Sequence, residues 1–180
     1  MKRYTDSPPV STRRLPADPP QLRVSVCICT MDRPVELERA LQSVGGSSIP
    51  PVQVVGSDDS AGDETERRVA EHPLPITYLR GPRSGLGANR NCDTMAADGD
   101  YLLFLDDDGA MGERFLDEIA IVASAGGFDP SMTIFTGIDI ENGEVVEPNA
   151  QDFLGFQSRP YRPGEPLQTV VINAALLPRA

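Results

Sequence analysis

Apolar and polar positions alternate with a period of two from Arg23 to Cys29, in a stretch biased toward β-branched residues, so a first strand is expected there. From Pro34 the period changes. Leu37, Ala40, Leu41 and Val44 recur at i, i+3, i+4 and i+7 before Gly45-Gly46, which predicts a helix and its stop. Val52–Gly56 reads as a second strand, followed by an acidic turn and a helix over Asp63–Glu71 with Asp63 as its expected cap. Ile76–Leu79 is a short third strand behind the breaker His72-Pro73-Leu74-Pro75. A helix over roughly Gly87–Ala97 would bury Ala88, Cys92, Met95 and Ala96, with Gly99 closing it. Tyr101–Leu105 is a continuous apolar run that suits a strand covered on both faces. A fourth helix, with Phe115, Ile119, Val122 and Ala123 inward, stops at Gly126-Gly127. Strands and helices in alternation specify an α/β fold with a parallel sheet.

The rhythm then breaks. Thr133–Ile140 and Glu144–Val146 flank Asn142-Gly143, a hairpin signal, and a proline-rich loop leads to a last strand over Thr169–Leu177. Residues Met1–Gln21 are rich in proline and lack periodicity, so a flexible leader is expected, with one domain over 22–180. The 180 residues, 39% of them hydrophobic, suffice for a single core.

Charge and composition remove whole classes of function. The net charge of -11 opposes a nucleic-acid partner held through phosphates. No apolar run reaches the roughly 18 residues of a membrane span, and no signal-peptide core follows Met1. Cys27, Cys29 and Cys92 fit neither a disulfide framework nor a zinc site, which favours a reduced, cytoplasmic chain; Cys27 and Cys29 share one strand face and suit packing. Lys2 is the only lysine. P-loop phosphate binding, Schiff-base chemistry and Ser-Lys nucleophiles are thereby excluded.

The chemistry-bearing residues gather where strands end, the place where parallel α/β sheets bind ligands. Thr30-Met31-Asp32-Arg33-Pro34 follows strand one, Ser57-Asp58-Asp59-Ser60 follows strand two, and Asp106-Asp107-Asp108 follows strand four. Gly85–Asn91 opens a helix, where backbone donors and Arg90 could meet an anion. Three adjacent carboxylates repel unless a cation or donors offset them, and a hard divalent ion is the simplest solution. On an extended segment Asp106 and Asp108 would point the same way while Asp107 turns aside, outside the pocket. Bland readings stand beside these: Asp58-Asp59 as a helix cap, Arg90 as a surface residue, Thr30 and Asp32 as a strand end, the sole histidine His72 as solvated.

Taken in order, these segments resemble the family 2 glycosyltransferases, nucleotide-diphospho-sugar transferases with the Rossmann-like GT-A fold. Val24–Pro34 (VSVCICTMDRP) is similar to that family's opening strand and threonine turn, and Val54–Thr65 (VVGSDDSAGDET) to its acidic second-strand motif. Gly87–Asn91 resembles the helix bearing Ala-Arg-Asn, and Asp106–Asp108 the metal-binding Asp-x-Asp motif. The resemblance implies that Thr30, Asp32 and Asp58 contact the base of a nucleotide, with uracil expected. It implies Arg90 by the base or diphosphate, Asp106 by the ribose, and Mg²⁺ or Mn²⁺ on Asp108 with Asp106. A UDP-sugar donor is therefore expected, with a saccharide, lipid-linked or other hydroxyl acceptor left open. The location implied is cytoplasmic, at most peripheral on the inner membrane face.

An inverting transfer needs a base for the acceptor hydroxyl. The family places it downstream of the strand spelled here Val170–Arg179, and the chain stops at Ala180. The expectation is a donor half whose acceptor half is missing through truncation or is completed by a partner chain or second copy. Asp139, Glu141, Asp152 and Glu165 are the remaining carboxylates, and none is singled out. The alternative function is a non-catalytic nucleotide-sugar-binding module. A phosphatase reading of Asp106–Ala110 fails for want of a downstream lysine. A pyrophosphorylase reading fails for want of a glycine-rich loop after strand one.

Overall fold

The structure, a computed structural model, describes residues 14–17, 21–125, 129 and 175–179, with the backbone of short strands between 135 and 171. The expected leader lies mostly outside the described residues. The chain divides into two compact units, Arg13–Ile134 with Leu176–Ala180, and Met1–Thr12 with Phe135–Ala175.

In the first unit the predicted alternation of strand and helix is present. β1 (Val24–Thr30), β2 (Gln53–Asp58), β3 (Ile76–Arg80) and β4 (Tyr101–Phe104) pair in parallel in the order β3-β2-β1-β4. β1 is central because its valines, isoleucine and first cysteine find cover on both faces; Val26 and Ile28 have no exposed surface. The chain moves outward from β1 first toward β2 and later toward β4. The strand order therefore reverses at β1, and the crevice beyond the carboxyl ends of β1 and β4 is where such sheets hold ligands.

Helix α1 (Pro34–Gly45) starts on proline, whose fixed φ suits a first helical turn, and buries the four predicted residues Leu37, Ala40, Leu41 and Val44. It packs on β1 and on α2 (Glu64–Glu71). Asp63 stands at the cap position of α2, but its side chain makes no cap bond and pairs with Arg67 at 2.9 Å instead. α3 (Leu86–Ala96) packs on β1 and β2. α4 (Phe115–Ser124) buries Leu116, Ile119, Ala120 and Ala123, whereas Val122, expected inward, is half exposed. Among the described residues no helix is long and apolar enough to cross a membrane.

The second unit is made of short strands: β5 (Phe135–Thr136), β6 (Asp139–Glu141), β7 (Glu144–Val146), β8 (Asn149–Gln151), β9 (Gln157–Pro160) and β10 (Val170–Val171). β6 and β7 pair antiparallel with Asp139 opposite Val146, as the hairpin reading requires; the turn residues Asn142 and Gly143 lie outside the described residues. β8 pairs antiparallel with both β9 and β10. The predicted last strand is thus two: β10, and β11 (Ala175–Pro178), which pairs antiparallel with β4 in the first unit through Leu176–Pro178.

Candidate functional site

β1 and β2 run one and two residues beyond the ends that alternation predicts, which carries Thr30 and Asp58 to their tips. The two are in register, and Asp58 is in register with Arg80 on β3. The turns beyond are stitched together. Asp59 N–H donates to Thr30 O at 2.9 Å, and Asp32 N–H donates to Ser60 Oγ at 2.7 Å. Asp32 is exposed and has φ 55°, a left-handed conformation that Asp tolerates better than most side chains.

The triple aspartate departs from the extended geometry expected of it. β4 ends at Phe104, and Gly109 N–H donates back to Asp106 O at 2.9 Å, closing a turn over Asp106–Gly109. Asp107, expected outside, is the carboxylate that folds inward, because a turn does not alternate its side chains as a strand does. It is buried and accepts from Thr30 Oγ1 and Arg33 Nη1, each at 2.8 Å. Desolvation raises its pKa, against which the Thr30 hydrogen bond and the Arg33 charge act. The outer two carboxylates are mostly exposed, 72% for Asp106 and 56% for Asp108. Each is held by its own guanidinium at 3.0 Å, Asp106 by Arg90 and Asp108 by Arg33. Arg90 also lies over the Phe104 ring, 5.7 Å from its centroid.

Asp58 is buried and well supplied with donors. Its Oδ1 accepts from Ser60 N–H at 2.8 Å, its Oδ2 accepts from the Tyr78 hydroxyl at 2.7 Å, and Arg80 stands 3.8 Å from Oδ2. Burial and the Asp58 hydrogen bond push the Tyr78 phenol up, so it remains a donor. Nothing in the strand pattern marked Tyr78 as more than a core aromatic.

The expected apolar face of α3 is only partly inward: Ala88, Cys92 and Ala96 are half-buried, while the fully buried positions of the helix are polar. Met95 is 87% exposed, while Asn89 and Asp93, one turn apart, are buried against the sheet. Asn89 Nδ2 donates to Ser57 O at 3.1 Å, and the Ser57 hydroxyl donates to Asn89 Oδ1. Gly81 admits this contact: a Cβ there would collide with Asn89 Oδ1 and Asp59 Oδ1. Asp93 Oδ2 accepts from the Cys29 thiol at 3.2 Å, and Oδ1 has no hydrogen-bond partner. Desolvation pushes Asp93 up to about 7, opposed by the Cys29 bond and Arg90. Burial and Asp93 push the Cys29 thiol up as well, and Cys27 to about 12, which disfavours the thiolate of both. The i,i+4 spacing of Asn89 and Asp93 is the signal in the sequence for this polar pair.

Among the described residues no group of three or more His, Cys, Asp or Glu converges on one point. Asp106 and Asp108 are both exposed carboxylates, the type of donor that a hard divalent ion takes together with water and ligand oxygens. Of the carboxylates considered as bases, Asp139 and Glu141 are described in backbone only, and Asp152 and Glu165 lie outside the described residues.

Comparison with known proteins points one way. The family model described as Glycosyl transferase family 2 matches residues 25–174. The succinoglycan biosynthesis protein ExoM of Rhizobium meliloti is 30% identical over 113 residues, 59% of this chain and 36% of that protein. The GalNAc(5)-diNAcBac-PP-undecaprenol beta-1,3-glucosyltransferase of Campylobacter jejuni is 30% identical over 95 residues, 48% of this chain and 29% of that one. The chain thus spans about a third of the length of these curated relatives. Among solved structures, S. aureus TarS 1-349 in complex with UDP aligns with TM-score 0.59 and 22% identity, covering 69% of this chain and 38% of that one. The mannosyltransferase PcManGT from Pyrobaculum calidifontis, in complex with GDP-Man and Mn2+, aligns with TM-score 0.55 and 20% identity, covering 69% and 39%. At these identities the likeness establishes the fold.

Proposed function

This chain belongs to glycosyl transferase family 2, and from that premise we propose that its first unit binds a nucleotide-diphosphate sugar, a UDP-sugar foremost, for glycosyl transfer to a hydroxyl acceptor. One observation carries the reading. Thr30 ends β1, Asp58 ends the neighbouring β2, and the Asp106–Asp108 turn follows β4 on the other side of β1, at the reversal point of the sheet; the Thr30–Asp107 bond ties β1 to that turn, and the bond from Asp59 N–H to Thr30 O ties it to β2.

In this reading Thr30, Asp32 and Asp58 form the base end of the pocket. The Asp58 side chain has no exposed surface, so direct acceptance from an imide N–H requires the Tyr78 hydroxyl to move aside. Asp106 faces the ribose. Arg90 and the first amides of α3, which no side chain caps, face the diphosphate. Asp108 and Asp106 hold Mg²⁺ or Mn²⁺, which when bound would neutralise charge on the departing diphosphate. The acceptor, saccharide or lipid-linked, and the base that receives its proton are assigned to none of these residues.

The test is calorimetric titration of the 180-residue chain with UDP, UDP-sugars and GDP, with Mn²⁺ and with chelator. UDP should bind, and both chelator and Asp108→Ala should weaken it about tenfold or more, the loss of one charge-assisted ligand contact. Absence of UDP binding, or indifference to both changes, sinks the assignment. Turnover of a UDP-sugar would establish transfer, whereas tight UDP binding without turnover leaves a binding module.

A further inference from the structure

We propose that Arg33 and Arg90 are resident counter-cations of this site, holding Asp108 and Asp106 against a divalent ion until a diphosphate draws the guanidinium groups away. The inference rests on the reading above and adds to it an order of events. Each exposed carboxylate proposed as a metal ligand already has a guanidinium at 3.0 Å, supplied by two different elements. Arg33 comes from the turn after β1 and Arg90 from α3.

The two arginines are fastened differently. Arg33 forks, with Nη1 on buried Asp107 at 2.8 Å and Nη2 on Asp108, so its hold on Asp108 is anchored from inside the turn. Arg90 rests over the Phe104 ring, a contact independent of Asp106. A dication approaching either outer carboxylate therefore meets a fixed positive charge beside the same oxygen atoms. Phosphate oxygens suit the guanidinium fork as well as carboxylates do, and a diphosphate carries more charge. When a guanidinium passes from carboxylate to diphosphate, the carboxylate is released for the ion. Nucleotide and metal then bind cooperatively, and the coupling is reciprocal.

The experiment uses the full chain and three titrations: Mn²⁺ alone, followed by the paramagnetic resonance of the free ion; UDP alone, by calorimetry; and Mn²⁺ in the presence of UDP. The wild-type chain should bind Mn²⁺ weakly alone and about fivefold or more tightly with UDP. Arg33→Gln should tighten Mn²⁺ alone severalfold, weaken UDP alone and shrink the coupling, while Arg33→Lys, which keeps the charge without the fork, should fall between. Arg90→Gln should act in the same direction through Asp106, so the test survives if one variant fails to fold. An arginine that merely braces the turn would give the opposite sign, since a loosened turn binds Mn²⁺ less well. Unchanged or weaker Mn²⁺ binding in both Gln variants, with UDP still bound by the wild type, overturns this inference alone. Failure of the wild type to bind either ligand overturns the proposed function with it.

Discussion

Asp58 and Asp93 are both buried carboxylates near the same strand tips, on opposite faces of the sheet, and their surroundings treat charge in opposite ways. Asp58 has a backbone N–H, a phenol hydroxyl and a nearby guanidinium for its two oxygens. Asp93 has one weak thiol donor and an oxygen with no partner, and it is pushed up to about 7. Burial is common to both. The donor inventory separates them: each oxygen of Asp58 has a hydrogen-bond donor, whereas one oxygen of Asp93 has none.

The comparison breaks most severely at Asp58. Asp58→Ala leaves the Tyr78 hydroxyl and the Ser60 N–H without their acceptor, at about 1–3 kcal/mol for each buried group so orphaned. A stability loss of roughly 3 kcal/mol is expected in urea unfolding, together with loss of UDP binding.

Asp93 gives a smaller effect with a distinctive pH signature. Its folded pKa stands above the ordinary carboxylate value of 3.8, so between about 4 and 7 the folded chain holds a proton that the unfolded chain has released. Its contribution to stability is therefore greatest at the acid end of that window and is lost as pH rises through about 7. The groups facing it are Cys29 and Cys27 from β1 and Arg90 from its own helix. Asp93→Asn should flatten the fall in unfolding free energy across this window, a change of about 1–2 kcal/mol at pH 8 relative to pH 5. An identical slope in both proteins would contradict the assignment.

Tyr78→Phe sharpens the contrast with the least damage. Removing one of the donors of Asp58 should cost about 1 kcal/mol and lower the melting temperature by about 2–4 °C.

The sheet and the helix starts were legible because β-branched alternation, Pro34 and the glycine stops act locally. Thr30, Asp32, Asp58, Asp106 and Asp108 stood out as a candidate set because each lies within a few residues of the end of an apolar run. Arg33, Tyr78, Asn89 and Asp93 were not. Their meaning lies in partners far along the chain: Arg33 with Asp107, Tyr78 with Asp58, Asn89 with Ser57, Asp93 with Cys29. The inward fold of Asp107 was likewise hidden, since it depends on a turn that begins two residues past the last residue of β4.

The left-handed backbone of Asp32 decides how its carboxylate can be interrogated at all. Alanine would confound two changes, loss of the charge and strain in a turn that anchors Ser60 through its N–H. Asparagine or glycine keeps the turn relaxed and removes only the carboxylate, so a mutational survey that used alanine throughout would credit side-chain chemistry with a defect that belongs to the main chain.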